Sequence, residues 1–262
     1  MMAARIHPTA LVDSKAFLAE DVEVGPFSII DSGVTIGAGT RIGPYIHIQG
    51  PTTIGERNQI IGNSSFGTDP QDVKFHGERT ELVIGDDNIF REFCTVNRGT
   101  ATGRSITRIG SHNFFMAYSH VAHDCRVGSH VIFANAATLA GHVDVGDHAT
   151  VGAFSAVHQF CRVGDHAFLG GFTVATQDVL PFVKTVGNRP AKTYGINKIG
   201  LERKGFSPDT IEALRKAYRY LTHSKLRLTD ALDQIEAELS LYPEARYFVE
   251  FIRGATSRGF VR

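Results

Sequence analysis

The sequence predicts a mainly β fold: a solenoid of short parallel strands, a β-helix, with a smaller α-helical domain at its C-terminal end. Two observations carry that expectation. Apolar residues recur at every sixth position over about 160 residues, and after Pro181 that period gives way to helical spacing. An amphipathic helix would repeat at about 3.6 residues and a half-exposed strand at about 2, so a phase held at six fits neither.

In chain order, the apolar anchors start at Val12 and continue through Leu18, Val24, Ile30, Ile36, Ile42, Ile48, Ile54 and Ile60, with glycine after four of them. An interruption from Gly62 to Val83 follows, after which Ile84, Phe90 and Val96 keep the phase. A second, from Asn97 to Arg108, shifts it by one. The series then runs Ile109, Phe115, Val121, Val127, Phe133, Leu139, Val145, Val151, Val157, Val163, Leu169 and Ala175. Each hexad is one short strand and a turn, the anchor pointing inward and a small residue turning the corner. In the tail, Ser207-Pro208-Asp209 reads as an N-cap with proline at the first helical position, opening a helix that gathers Ile211, Leu214, Ala217, Tyr218 and Leu221 on one face. A second helix, from near Thr229-Asp230, carries Ala231, Leu232, Ile235 and Leu239. A third, after Pro243, carries Ala245, Phe248, Val249 and Ile252. The expected division is a β-helix over 1–186, with inserted loops near 62–83 and 97–108, and a helical domain over 187–262.

The bulk numbers restrict function. With 27 basic and 27 acidic residues, the total charge favours neither a nucleic-acid nor a membrane-surface partner. Cys94, Cys125 and Cys161 are far apart, odd in number and lack a CxxC pair, which argues against a disulfide framework or a cysteine zinc site and fits a reducing cytoplasm. No apolar run reaches signal-peptide or membrane-spanning length, so a soluble protein is expected.

If three hexads make a coil, residues 18 apart stack on one face, about 4.8 Å from strand to strand. The hexads at Val121, Leu139 and Val157 then share a face and bring His123, His142 and His158 into one strip, with His123, Gly141 and Gln159 in one column and Asp124 above His142. His120 lies just before it. Three stacked titratable rings have no packing benefit on a Val- and Ala-rich surface, so the strip reads as functional. His130, His148 and His166 fall at hexad corners and read as ordinary turn residues. A histidine zinc site of the kind used by β-helical carbonic anhydrases is the rival for the strip, and His120-x-x-His123 keeps it open.

Hexads such as VGDHAT, VGSHVI and LAGHVD resemble the hexapeptide-repeat acyltransferases, which implies a left-handed parallel β-helix of hexapeptide repeats. The hand rests on that resemblance, since most parallel crossovers are right-handed. HVAHDC, NAATLAGHV and AVHQFC, the interruptions DPQDVKFHGERT and NRGTATG, and the tail GINKIGLERKGFS resemble, over nearly the whole chain, the acyl-carrier-protein:UDP-N-acetylglucosamine O-acyltransferases of lipid A synthesis.

That resemblance implies UDP-N-acetylglucosamine as acceptor, an (R)-3-hydroxyacyl chain on acyl carrier protein as donor, no metal and no cofactor, and a homotrimer with sites between protomers. It assigns His123 as general base, Asp124 as its orienting carboxylate and Gly141 as the backbone N–H donor to the oxyanion. Asp72 and Lys74, beside Gln71, match sugar contacts, Asp72 having a turn-stabilising aspartate as its other reading. His120, His142, His158 and Gln159 match positions around sugar and acyl group, and Gly171 the position that measures the acyl chain. Asn197, Arg203 and Lys204 match positions near the nucleotide. Lys204 also joins Arg215, Lys216 and Arg219 in a basic patch suited to the acidic carrier, or in a plain solvated helix face. Asn97 and the NKIG stretch depart from some members and leave open an amine rather than a hydroxyl acceptor. A zinc hydratase and a non-catalytic scaffold are the alternatives from other classes.

Overall fold

The computed structural model describes residues 3–262. From Arg5 to Ala175 the chain forms a parallel β-helix whose strands, two to four residues long, stack into three sheets. Strands of successive coils pair in parallel with the register the hexads require: Val121 opposite Leu139, Leu139 opposite Val157, and Val157 opposite Ala175. We call the sheets first, second and third in the order the chain visits them, with strands at Phe168–Leu169, Val174–Ala175 and Arg162–Val163 as their respective late members.

The anchors form the core. From Val24 to Ala175 every anchor is buried, and only Val12 and Leu18, near the open N-terminal end, are partly covered. Phe66, Phe90, Phe115 and Phe133 fill the axis with ring centroids 5.0, 4.5 and 4.7 Å apart. At one inner corner a ladder of buried amides replaces apolar packing: Asn88 Nδ2 donates to Asn58 Oδ1 (3.0 Å) and to the Gly110 carbonyl (3.0 Å), and Asn88 Oδ1 accepts from the Asn113 backbone N–H (2.9 Å).

Corners repeatedly require a residue with positive φ, so equivalent side chains emerge with equal direction and stack. On the corner between the third and first sheets, His112, His130, His148 and His166 have φ between 56° and 59°. Their rings lie nearly parallel, 4.9, 4.7 and 4.6 Å apart, which is the strand spacing.

The structure narrows the first interruption. Phe66, six residues after Ile60, is a buried anchor in a strand over Ser65–Thr68, and pairing resumes at Glu81–Ile84, so the inserted loop is 69–80. The second inserted loop lies between Thr95–Asn97 and Ile106–Ile109. Beyond the coils, Val183–Val186 pairs antiparallel with Lys192–Ile196 and leads into four helices: α1 (Lys198–Arg203), α2 (Pro208–His223), α3 (Leu228–Leu239) and α4 (Pro243–Arg253). Ser207 caps α2 by accepting from the Thr210 N–H (3.1 Å). The short α1 was not expected from the sequence. The apolar faces of α2, α3 and α4 close over Leu180, Val183 and Ile196 as a second core.

Candidate active site

His123 follows Val121 at the corner between the second and third sheets, where Asp124 turns the chain with φ of 60°. Aspartate tolerates that left-handed conformation better than most residues, and it aims its carboxylate back under the corner. The carboxylate is fully buried, yet four donor groups satisfy it: His123 Nδ1 (2.8 Å), Thr100 Oγ1 (2.6 Å), and the backbone N–H groups of Thr100 (3.1 Å to each oxygen) and Arg104 (2.7 Å). Burial alone would push the Asp124 pKa up, but hydrogen bonds from His123, Thr100 and Arg104 bring it down to about 2. An ionised carboxylate only accepts, so His123 carries its proton on Nδ1 and presents a lone pair on Nε2. Among the described residues nothing hydrogen-bonds that Nε2.

Gly141 stands next in the His123 column, so close that a Cβ there would lie 2.6 Å from Cε1 and 2.7 Å from Nε2 of the imidazole. His142 meets the His123 ring edge-on (centroids 5.1 Å, 89°), stacks on Phe160 (4.5 Å), and has Nε2 3.9 Å from Asp124 Oδ2. Burial lowers the His142 pKa, Asp124 opposing and His123 and Arg104 adding to the shift, so this ring is neutral near pH 7.

A cleft of about 660 Å³ opens over these groups, walled by Gln71, Asp72, Val73 and Lys74 of the first inserted loop, Thr102 and Gly103 of the second, and His123, His142, Gln159 and Phe160. Asp72 lines the cleft, and its Oδ1 accepts from the Lys74 N–H (3.0 Å), which shapes the loop as its turn-stabilising reading expects. The departure at Asn97 also finds its use. The residue is buried, and its amide donates to Thr68 Oγ1 (3.0 Å) and the Asp69 carbonyl (2.8 Å), fastening the base of the same loop.

The remaining candidates lie outside the cleft. His120, whose pKa burial also lowers, bonds Thr95 Oγ1 through Nδ1 (2.7 Å) on the outer face of the second sheet. His158 lies one column from Gln159 and bonds that residue's carbonyl (3.2 Å). Gly171 is at the corner between the first and second sheets, where a Cβ would meet only the Ala153 carbonyl, at 3.3 Å. Asn197 caps α1, accepting from Gly200 N–H (3.3 Å) and donating to the His166 carbonyl (3.2 Å), and Arg203 and Lys204 are exposed at the far end of α1, near the third-to-first corner. Thr100, Arg104 and Phe160 are the site residues that sequence reasoning missed. Only Phe160 left a signal, standing 18 residues after His142.

The geometry does not assemble a three-histidine metal site. His123, Asp124 and His142 are the titratable groups whose donor atoms converge among the described residues, and Asp124 already spends its acceptor capacity on four donors. The cysteines are buried and free, with the thiols of Cys94 and Cys125 pushed up to about 12 and that of Cys161 to about 11, so none is a nucleophile near neutral pH. Among the described residues no helix is long and apolar enough to cross a membrane.

A hexad β-helix with an imidazole held by a buried carboxylate beside a polar, loop-walled cleft is an architecture that fits the hexapeptide-repeat transferases. The "bacterial transferase hexapeptide (six repeats)" family model matches residues 106–141, and "Udp N-acetylglucosamine O-acyltransferase; Domain 2" matches 178–261. Two relatives, from Halorhodospira halophila and Syntrophobacter fumaroxidans, are named acyl-(acyl-carrier-protein)–UDP-N-acetylglucosamine O-acyltransferase. The first is 54% identical, covering 98% of this chain and 99% of its own, and the second 48% identical, covering 98% and 100%. The solved structure of LpxA from Acinetobacter baumannii superposes with a TM-score of 0.95 at 44% identity, over 98% of this chain and 99% of that one. The chain belongs to the UDP-N-acetylglucosamine O-acyltransferase family, and its β-helix is left-handed.

Proposed function

We propose that this chain transfers an (R)-3-hydroxyacyl group from acyl carrier protein to the glucosamine 3-hydroxyl of UDP-N-acetylglucosamine, the first step of lipid A biosynthesis, by direct general-base catalysis. The observation that carries the mechanism is the His123–Asp124 pair, with Nδ1 held at 2.8 Å and Nε2 free above Gly141. Nε2 takes the hydroxyl proton as the sugar oxygen attacks the thioester carbonyl carbon. The tetrahedral oxyanion is stabilised by the Gly141 N–H, the carbon–sulfur bond then breaks, and the imidazolium returns the proton to the departing thiolate. Direct transfer gives the buried cysteines no part.

Gln71, Asp72 and Lys74 hold the sugar, with His142 and Gln159 opposite them across the cleft. His120 and His158 flank this site, Gly171 limits the acyl chain, and Asn197, Arg203 and Lys204 serve the nucleotide. In one chain these groups lie at three different corners, and Val73 at the cleft mouth is 95% exposed. Both facts support a homotrimer in which neighbouring protomers complete each site. The free cysteines support a reducing, cytoplasmic compartment. An amine acceptor and a zinc hydratase find no support in the names of the relatives.

The test is acyl transfer from carrier protein to the sugar nucleotide in chelator-treated buffer. Wild type should be active, and His123→Ala should lose at least about 10²-fold in rate while remaining folded. An active His123→Ala, or a wild type silenced by chelator, refutes the mechanism.

A further inference from the structure

The base is only as good as the carboxylate that aligns it, and three of the four donor groups on Asp124 come from one inserted loop, residues 98–105. That loop passes very close over the carboxylate. A Cβ on Gly103 would lie 2.5 Å from both Cγ and Oδ2 of Asp124, so a small outward movement of the loop would strip the carboxylate of its donors and admit water. The ends of the loop are tied to the third sheet, Gly99 N–H donating to the Glu81 carbonyl (3.2 Å) and Glu81 N–H to the Ser105 carbonyl (2.9 Å), whereas over the turn Thr100–Arg104 the bonds of Gly103 N–H and Ser105 N–H to the Thr100 carbonyl (3.1 and 3.0 Å) are internal. Beyond the Asp124 contacts, the side chain that fastens this turn is Arg104. Its Nη1 donates to the Asp124 backbone carbonyl (3.0 Å), and its two terminal nitrogens grip Asp144 in bidentate fashion at 2.5 and 2.8 Å.

Asp144 is conspicuous where it stands. On the third sheet, strand register aligns Arg108, Arg126, Asp144 and Arg162 in one row, with Asp144 as the acid among arginines. Arg162 turns instead to Asp178, donating through Nε at 2.9 Å. Both oxygens of Asp144 are therefore given to Arg104.

We propose that Arg104 and Asp144 are positioning residues for the acyl transfer, a clasp between loop and third sheet that seats the Thr100 and Arg104 backbone donors on Asp124 and so fixes the His123 base. This rests on the reading of His123 and Asp124 as base and orienter. The clasp is partly exposed, with Arg104 and Asp144 side chains 28% and 36% accessible, so it adds little to global stability. Its effect falls on alignment of the base, hence on kcat rather than on substrate affinity.

The experiment is steady-state transfer and thermal unfolding for Arg104→Ala, Asp144→Asn, the double variant and Arg104→Lys. Each of the first two should lower kcat about tenfold with KM for both substrates within about twofold and Tm unchanged, because alignment rather than binding is lost. The double variant should be no slower than the slower single, since both remove one contact. Arg104→Lys keeps a donor but not the fork and should recover part of the rate. A kcat within twofold of wild type in both single variants, or a loss of kcat matched by a rise in KM and a fall in Tm, overturns the proposal. His123→Ala, run alongside, separates the two readings. If it is inactive while the clasp variants are fully active, the base stands and the clasp falls; if it is active, the base reading falls and takes the clasp with it.

Discussion

Gly141→Ala tests the site with a single methyl group. An ideal Cβ at that position lies 2.6 Å from His123 Cε1, 2.7 Å from Nε2 and 3.2 Å from Nδ1. Carbon atoms in good contact stand about 3.5–4.0 Å apart, so the ring must retreat by about 1 Å. It cannot do so freely, because Nδ1 is held at 2.8 Å by a carboxylate that is itself fixed by Thr100 and Arg104. The base either tilts off its line to the acceptor hydroxyl or loses the bond that orients it. A misplacement of about 1 Å costs about 10²-fold in rate, or about 2.7 kcal/mol in the barrier. Gly141 is not among the positive-φ glycines, so alanine fits the backbone, and the loss of unfolded-state freedom offsets part of any strain. The expected outcome is a kcat about 10²-fold below wild type, with KM for the sugar nucleotide little changed and an unfolding midpoint close to wild type. Initial rates at saturating carrier thioester, with thermal unfolding as control, read all three. A kcat within threefold of wild type would mean that the working imidazole does not stand over residue 141, and the geometric reasoning would be wrong.

His166 should make the molecule acid-sensitive. Burial, with His148 and Lys204 adding and Asp147 opposing, holds its pKa at about 4 in the folded state, below the unfolded value of about 6.5. The unfolded chain therefore takes up the proton first, and the stability linked to this ring is complete above about pH 6.5 and drains as pH falls toward 4. The full shift corresponds to about 3 kcal/mol, and screening at the ring's exposed edge reduces that to about 2. Urea unfolding at pH 7.5 and 4.5 should give a steeper loss for wild type than for His166→Phe, and equal slopes would count against it. Asn88→Ala leaves the Gly110 carbonyl and the Asn113 N–H buried without partners and should cost about 3 kcal/mol in urea unfolding; a loss under about 1 would show that the amide ladder is dispensable. Gly171→Met should turn donor preference toward shorter acyl chains by at least about tenfold, each excluded methylene being worth about 0.8 kcal/mol. Unchanged preference in a competition between two chain lengths would remove Gly171 from the acyl path.

The fold was legible because a coil repeats. One phase locates the core residues, and adding 18 to a position names its neighbour, so the closeness of His123 and Gly141, and of Asp124 and His142, followed from the sequence. Phe66 was equally available, lying on phase after Ile60, but the run Gly62-Asn63-Ser64-Ser65 hides that coil behind polar residues. The inserted loops carry no phase, so nothing in NRGTATG announces that Thr100 and Arg104 close over Asp124. Asn197 could be matched to a functional position, but its capping of α1 depends on a helix of six residues with no apolar periodicity long enough to see.

The regular stacking of coils has a metrical consequence. His123 and Gly171 sit at different levels of the same column of coils, and each level is separated from the next by one strand spacing, about 4.8 Å. Height along the axis is thus graduated in fixed steps, and a whole coil of 18 residues is the unit in which a relative could lengthen or shorten the span between the two without disturbing any corner. Side-chain changes within a level provide only the finer divisions, so on the proposed reading of His123 and Gly171 selectivity for molecular length is set on two scales, one coarse and structural, the other fine and local.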